Sequence, residues 1–399
     1  DVALLTGGSD KPYALGIAEA LTSAGANLDF IGSNELDLPE LRGNPRLRCL
    51  NLRGDQNPGA GLLRKMLRIT IYYFRLLLYA STSAPRIVHI LWNNKFEVFD
   101  RTLLMLYYRL LGKKIVFTSH NVNAGKRDGN DSFLNRLTLK AQYGLSDQIF
   151  VHTEAMKDEL KKDFMVRDGK ISVIPFGINN TVPNTALTTN GAKARLGIGP
   201  CHKTLLFFGR IAPYKGLQYL ISALAALKQK DSNYRLIIVG PVKQLAAAGS
   251  RNRSCNQYWN DIQSAIAEAG LGEHIIQRIE FVPDEDTELY FKAADALVLP
   301  YTDIFQSGVL FLGYSFGLPV IVTDVGSLKD EIIEGRTGFV CAPKDPAALA
   351  AAIETYFASD LHKNLESRRN EIMEYANEQY SWAKVAAITT TVYARLLEK

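Results

Sequence analysis

Residues 294–323 read ADALVLPYTDIFQSGVLFLGYSFGLPVIVT, and this stretch sets the fold class. Ala296–Pro300 is an uninterrupted apolar run of strand length. Residues 301–307 are turn-forming, a helix runs on through Tyr314, and Phe316-Gly317-Leu318 leads into a second apolar strand, Pro319–Thr323. Strands this apolar are buried on both faces, so the unit is strand–helix–strand in a parallel sheet. The same alternation extends outward in both directions. Upstream of it lie the strand candidates Val2–Thr6, Leu28–Ile31, Ile87–Leu91, Lys114–Thr118, Gln148–His152, Ile171–Pro175, Thr204–Gly209, Arg235–Gly240 and Ile275–Phe281, and Gly338–Cys341 follows. Amphipathic runs such as Leu15–Ala24, Phe133–Gly144, Leu217–Lys230 and Asn260–Ala269 separate them. Twelve strands exceed one doubly wound sheet, so the chain is expected to be an α/β protein of two domains.

The break falls in PFGINNTVPN, residues 175–184, where two prolines, a glycine and three asparagines make a connector. The expected domains are therefore 1–180 and 185–380. A long helical stretch, Ala347 to Glu378, precedes the final helix, which has no strand left to pair with. That helix, within 381–399, is expected to pack back on the first domain.

The 399 residues are 47% apolar and 22% charged, which excludes wholesale disorder. Forty-six Lys+Arg against 41 Asp+Glu give +5, too mild a surplus to indicate nucleic acid as a partner. Cys49, Cys201, Cys255 and Cys341 form no metal spacing, so reduced thiols in a cytoplasmic compartment are expected, most of them small core residues. No charged-then-apolar leader is visible, and no run of about 18 apolar residues predicts a spanning helix. Charge is nonetheless uneven. Residues 41–115 carry fourteen Lys/Arg against Asp55, Glu97 and Asp100, a net +11. Segments 62–80 and 101–114 combine these cations with Leu, Tyr and Phe, a composition suited to docking on an anionic membrane surface. The competing explanation is a pair of core-facing helices whose arginines snorkel to water.

Two segments carry the chemistry. In LLFFGRIAPYKG (205–216) an apolar strand ends at Gly209, and Arg210 and Lys215 flank a turn before the next helix. A guanidinium fork and a compact ammonium at a strand's carboxyl end can clamp a diphosphate; the alternative is a solvated turn. In the second, Gln306-Ser307-Gly308 opens a helix whose free N–H groups and positive dipole end suit an anion. An ordinary N-cap is the alternative there.

With VIPFGIN (173–179) and EGRTGFVCAPKDPAALAAAI (334–353), these segments resemble the family 4 retaining glycosyltransferases of the GT-B fold, across nearly the whole chain. The resemblance implies two Rossmann-like domains facing a cleft. It also implies a nucleotide-sugar donor held mainly by the second domain, an acceptor held mainly by the first, and no metal or other cofactor. By position, Arg210 and Lys215 match the donor-diphosphate pair. Ser307, Gly308 and Val309 match the helix start that faces the distal phosphate. Gly240, Pro241 and Val282 fall where the base is lined, His120 matches the histidine that reaches the donor sugar, and Gly7 and Gly8 lie in the first strand's turn. One departure concerns two glutamates eight positions apart in the family, whose places here hold Ile304 and Leu312. Asp303 and Gln306 are the nearest polar replacements. Of the other strand histidines, His89 and His152 are expected to be core or edge residues.

The function implied is transfer of a hexose from a nucleotide sugar, UDP-linked as the first expectation, to a glycan or lipid-linked acceptor. It would take place in the cytoplasm, at the inner face of the plasma membrane. Arg210, Lys215 and His120 are the expected catalytic groups. Rival classes are a sugar-nucleotide isomerase of the same fold and a non-catalytic nucleotide-sugar-binding protein.

Overall fold

The computed structural model describes residues 1–7, 11–36, 41, 43–57, 59–94, 96–127, 131–178, 182–242 and 252–398, with no side-chain description at 127 or 252–256. It divides into two units, Asp1–Gly177 with Tyr380–Lys399, and Ile178–Gln379.

The first unit is built on seven parallel strands in the order β3-β2-β1-β4-β5-β6-β7. These are β1 (Val2–Leu5), β2 (Leu28–Gly32), β3 (Leu47–Asn51), β4 (Ile87–Ile90), β5 (Lys114–Thr118), β6 (Gln148–Val151) and β7 (Ile171–Val173). Order reverses between β1 and β4, and such a switch point leaves a crevice at the strands' carboxyl ends. The helices are α1 (Lys11–Ser23), α2 (Leu62–Thr82), α3 (Glu97–Phe99), a π-helical turn (Asp100–Leu104), α4 (Met105–Leu110), α5 (Ala124–Arg127), α6 (Phe133–Leu145) and α7 (Glu154–Phe164). Central strands β1, β4 and β6 are buried along their whole length, with His89 and Gln148 the polar residues among otherwise apolar runs. Strand β3, LRCLN, escapes the sequence pattern because it is an edge strand, mostly open to solvent beyond Leu47. Its Arg48 forks onto Asp29 of β2 through two hydrogen bonds of 2.8 and 2.6 Å.

The second unit has six parallel strands in the order β10-β9-β8-β11-β12-β13. They are β8 (Lys203–Phe208), β9 (Tyr234–Val239), β10 (Ile275–Arg278), β11 (Ala296–Leu299), β12 (Val320–Thr323) and β13 (Gly338–Cys341), and order reverses between β8 and β11. Its helices are α8 (Thr189–Arg195), α9 (Leu217–Lys230), α10 (Asn252–Glu268), α11 (Asp284–Ala293), α12 (Gly308–Ser315), α13 (Pro346–Ala358), α14 (Asp360–Lys363) and α15 (Leu365–Gln379). The predicted single stretch 347–378 is three helices. Ser359 ends the first, and its hydroxyl caps the second by accepting from His362 N–H at 3.3 Å. The later part of the connector belongs to this unit rather than lying between domains. Thr185 anchors it, donating from its N–H and its hydroxyl to the Glu288 carboxylate.

The last helix, α16 (Trp382–Glu398), lies in the first unit and packs along α1. Val385, Val392 and Tyr393 join Leu4, Ile17, Leu21, Phe30, Ile87 and Phe150 in one core cluster. Burial of each such side chain contributes about 1.5–3 kcal/mol. His89 of β4 is fully buried, bonded to Tyr393 of α16 and Thr118 of β5, and burial pulls its pKa down to about 3. Cys341 is buried, Cys49 half-buried and Cys201 exposed. Cys255's side chain lies outside the described residues.

Candidate functional site

In the second unit, the end of β8 gathers most of the predicted donor residues. Gly209 has φ +99°, a conformation that favours glycine, and its N–H donates to Val239 O at 2.9 Å. A Cβ on Gly209 would lie 2.9 Å from Lys215 Nζ and 3.4 Å from Val309 Cγ2. The lysine ammonium and the first turn of α12 therefore meet over the Gly209 backbone. Lys215 is 7% exposed, and its Nζ stands 5.1 Å from the Tyr301 ring centroid, within cation–π range.

The Pro213–Lys215 turn is fixed to β11. Thr302 N–H donates to Tyr214 O at 2.8 Å, and a Cβ on Gly216 (φ +68°) would lie 1.9 Å from Pro300 O. Arg210, the residue after Gly209, is exposed.

Ser307 is the N-cap residue of α12 and is buried, yet its side chain does not cap the helix. Its hydroxyl lies 3.4 Å from Tyr301 Oη instead, and Gly308 and Val309 N–H receive no side-chain acceptor from the cap. Burial holds the Tyr301 phenol well above its usual range, so it is a neutral hydrogen-bonding group. Gln306 donates from Nε2 to Glu331 Oε1 at 3.2 Å, which brings in a carboxylate that the sequence did not single out. Asp303 is exposed. Leu312 is buried in the helix, and Ile304 O abuts Gly326, where a Cβ would come within 1.8 Å. Gly240 packs on Gly209, since a Cβ there would lie 2.3 Å from Gly209 O. Pro241 O accepts from Ile211 N–H at 2.8 Å, and Val282 is buried in the loop after β10.

In the first unit, His120 follows β5 and sits among rings. It stacks on Trp92 (4.2 Å between centroids, 6° between planes) and meets the Tyr13 ring edge-on at 4.7 Å. Its Nδ1 is 3.0 Å from Nε2 of His152, which the sequence had left as a core or edge residue. His152 is indeed buried, but it is hydrogen-bonded to the predicted site histidine. The link between them was invisible in sequence because 32 positions separate the two residues, and only the pairing of β5 with β6 unites them. Burial, with the neighbouring His152, holds His120 well below the usual histidine range, and burial pulls His152 down to about 4. Gly7 (φ +63°) belongs to the same cluster, because a Cβ there would lie 2.5 Å from Trp92 O. Gly8 lies outside the described residues.

The same unit carries two further features. A small recess is lined by Arg53, Gln56, Arg68, Tyr72, Tyr73 and Asn94. Along α2, Leu63, Leu67, Ile71, Phe74 and Leu78 are all exposed at helical spacing, while Tyr72, Tyr73 and Leu76 face inward. Leu103, Leu106 and Leu110 are exposed on the neighbouring helical run, which reaches α2 through Tyr107 Oη donating to Leu77 O. Among the described residues, no helix is long and apolar enough to cross a membrane.

Comparison with known proteins gives a consistent match. Residues 12–181 match the model described as Glycosyltransferase Family 4, and 202–359 match Glycosyl transferases group 1. A D-inositol 3-phosphate glycosyltransferase of Corynebacterium glutamicum is 26% identical, over 97% of this chain and 91% of its own. The Streptomyces avermitilis enzyme of that name is 29% identical over 63% of this chain, a match spanning only 53% of the relative's length. Sucrose-phosphate synthase from Thermosynechococcus elongatus superposes with TM-score 0.76 at 19% identity, covering 100% of this chain and 99% of that one. Anabaena HepE in complex with UDP-glucose gives 0.73 at 15% identity, covering 99% of each.

Proposed function

Because the chain belongs to glycosyltransferase family 4 and has the GT-B fold, we propose that it moves a hexose from a UDP-sugar to a hydroxyl of a phosphate-bearing, lipid-linked or glycan acceptor, with retention at the anomeric carbon and without a metal ion. The observation that carries this reading is the meeting of the Lys215 ammonium with the start of α12 over Gly209, beside Tyr301. A departing diphosphate gathers negative charge, and preorganised positive groups stabilise the transition state more than the ground state. Lys215 supplies one such charge, Arg210 a mobile second, and the Gly308 and Val309 N–H groups a third contact.

The anomeric C–O bond to the phosphate breaks while the acceptor hydroxyl attacks from the same face. The hydroxyl proton passes to the departing phosphate oxygen, so the protein needs no nucleophile. Ile304 and Leu312 cannot make the polar contacts of the family's glutamates, and the Gln306–Glu331 pair offers a carboxylate in the same loop region. For the acceptor, the Arg53–Arg68 recess suits an anionic group, and the outward apolar faces of α2 and its neighbour suit an anionic bilayer surface.

The test is incubation with a panel of nucleotide sugars, with and without lipid-phosphate acceptors, while nucleotide release is followed. Acceptor-dependent UDP release, unaffected by EDTA, is expected. Binding without release would reduce the protein to a nucleotide-sugar receptor.

A further inference from the structure

We propose that His152 is a positioning residue that locks His120 in the Nδ1–H tautomer, so that His120 presents a bare Nε2 to a sugar hydroxyl. The inference rests on the proposed function only for the identity of the hydroxyl, which belongs to the transferred sugar. His152 Nδ1 lies 3.3 Å from Ile174 O, and a carbonyl can only accept, so His152 carries its proton on Nδ1. A neutral imidazole has one N–H, which makes His152 Nε2 an acceptor. That nitrogen faces His120 Nδ1 at 3.0 Å, so His120 donates from Nδ1 and its Nε2 is left with a lone pair.

Among the described residues, His120 Nε2 is buried and has no hydrogen-bond partner. Burial keeps both rings neutral, which removes the doubly protonated alternative. The ring is also held against flipping, with the Trp92 face on one side and the Tyr13 ring meeting it edge-on. Trp92 is seated by the close approach of Gly7. An acceptor nitrogen in an apolar, aromatic surround selects a neutral O–H donor. It repels a phosphate oxygen, so His120 reads a hydroxyl rather than an anion.

The experiment uses the full chain labelled with ¹⁵N-histidine. Long-range ¹H–¹⁵N correlations at pH 7, with His120 identified by its loss in His120→Asn, should show protonated Nδ1 and bare Nε2. An Nε2–H tautomer or an imidazolium at His120 overturns the proposal without touching the transferase reading. In kinetics, His152→Leu removes the acceptor and should lower kcat/KM roughly tenfold while leaving UDP affinity unchanged. His152→Gln, whose amide oxygen can replace Nε2, should recover most of that loss. Normal turnover in His152→Leu overturns the proposal even if His120→Ala is inactive. Normal turnover in His120→Ala instead overturns the role given to His120 itself. Should His152→Leu not fold, the wild-type spectrum decides.

Discussion

Lys215 and Arg210 differ in how the fold holds them, and this sets different expectations for their loss. Lys215 is buried over Gly209 and against Tyr301, so its ammonium is fixed before any substrate arrives. Lys215→Ala should lower kcat by about 10²–10³, the range seen when one preorganised stabilising group is removed. Arg210 is exposed and has side-chain freedom to lose on binding, so Arg210→Ala should weaken donor KM as well as kcat. Steady-state kinetics with one donor separate the two, and unchanged kcat in Lys215→Ala would remove it from the chemistry. The strand, the turn and the two cations were legible in the sequence, but the motif alone left a solvated turn open, and that Lys215 is buried while Arg210 is exposed appears only in the structure. The Gln306–Glu331 contact was not, since it joins residues 25 apart in two loops that no periodicity relates.

Among the elements, α2 and the turn after β8 make the sharpest claims. The apolar face of α2 is turned outward, which the snorkelling alternative does not explain. Paired substitutions Leu63→Asp and Leu67→Asp should abolish flotation with anionic liposomes and leave solution stability within about 0.5 kcal/mol, as expected at exposed sites. Retained flotation would contradict a bilayer-facing role for this helix. The turn is intolerant in a different way. Gly216→Ala would place a methyl group 1.9 Å from Pro300 O at φ +68°, so thermal stability should fall and donor turnover with it. An unchanged Tm would show that the turn is not pinned to β11 as described. Strand–helix alternation made β1, β8 and β11 readable from their apolar runs. Edge strand β3 was not, because only Leu47 of its five residues is buried and the strand carries no pattern of burial.

At the level of the whole molecule, three histidines of the first unit are held neutral by burial. The pKa of His89 is pulled to about 3, that of His152 to about 4, and His120 also lies well below its ordinary value. In the unfolded chain they take up protons near pH 6.5, so the unfolded state binds more protons below that point. Their contribution to stability is present above about pH 6.5 and is lost as pH falls toward 4, at up to about 1.4 kcal/mol per pH unit for each histidine. Denaturant titrations at pH 7.5 and 4.5 should show a lower midpoint at the acid end; a flat profile would contradict neutral burial. The division into two α/β units was visible in the strand count, and the connector in its prolines and asparagines. That the second unit begins at Ile178, inside the expected connector, was not visible, because packing contacts rather than turn residues set that boundary.

The diphosphate clamp is tested most directly by titration calorimetry of UDP and GDP against the wild-type chain and Lys215→Ala. Wild type should bind UDP, and the lysine variant should bind it at least tenfold more weakly with its fold intact by circular dichroism. Equal UDP affinity in the two proteins, or no binding by the wild type, would mean that the ammonium over Gly209 does not hold a nucleoside diphosphate.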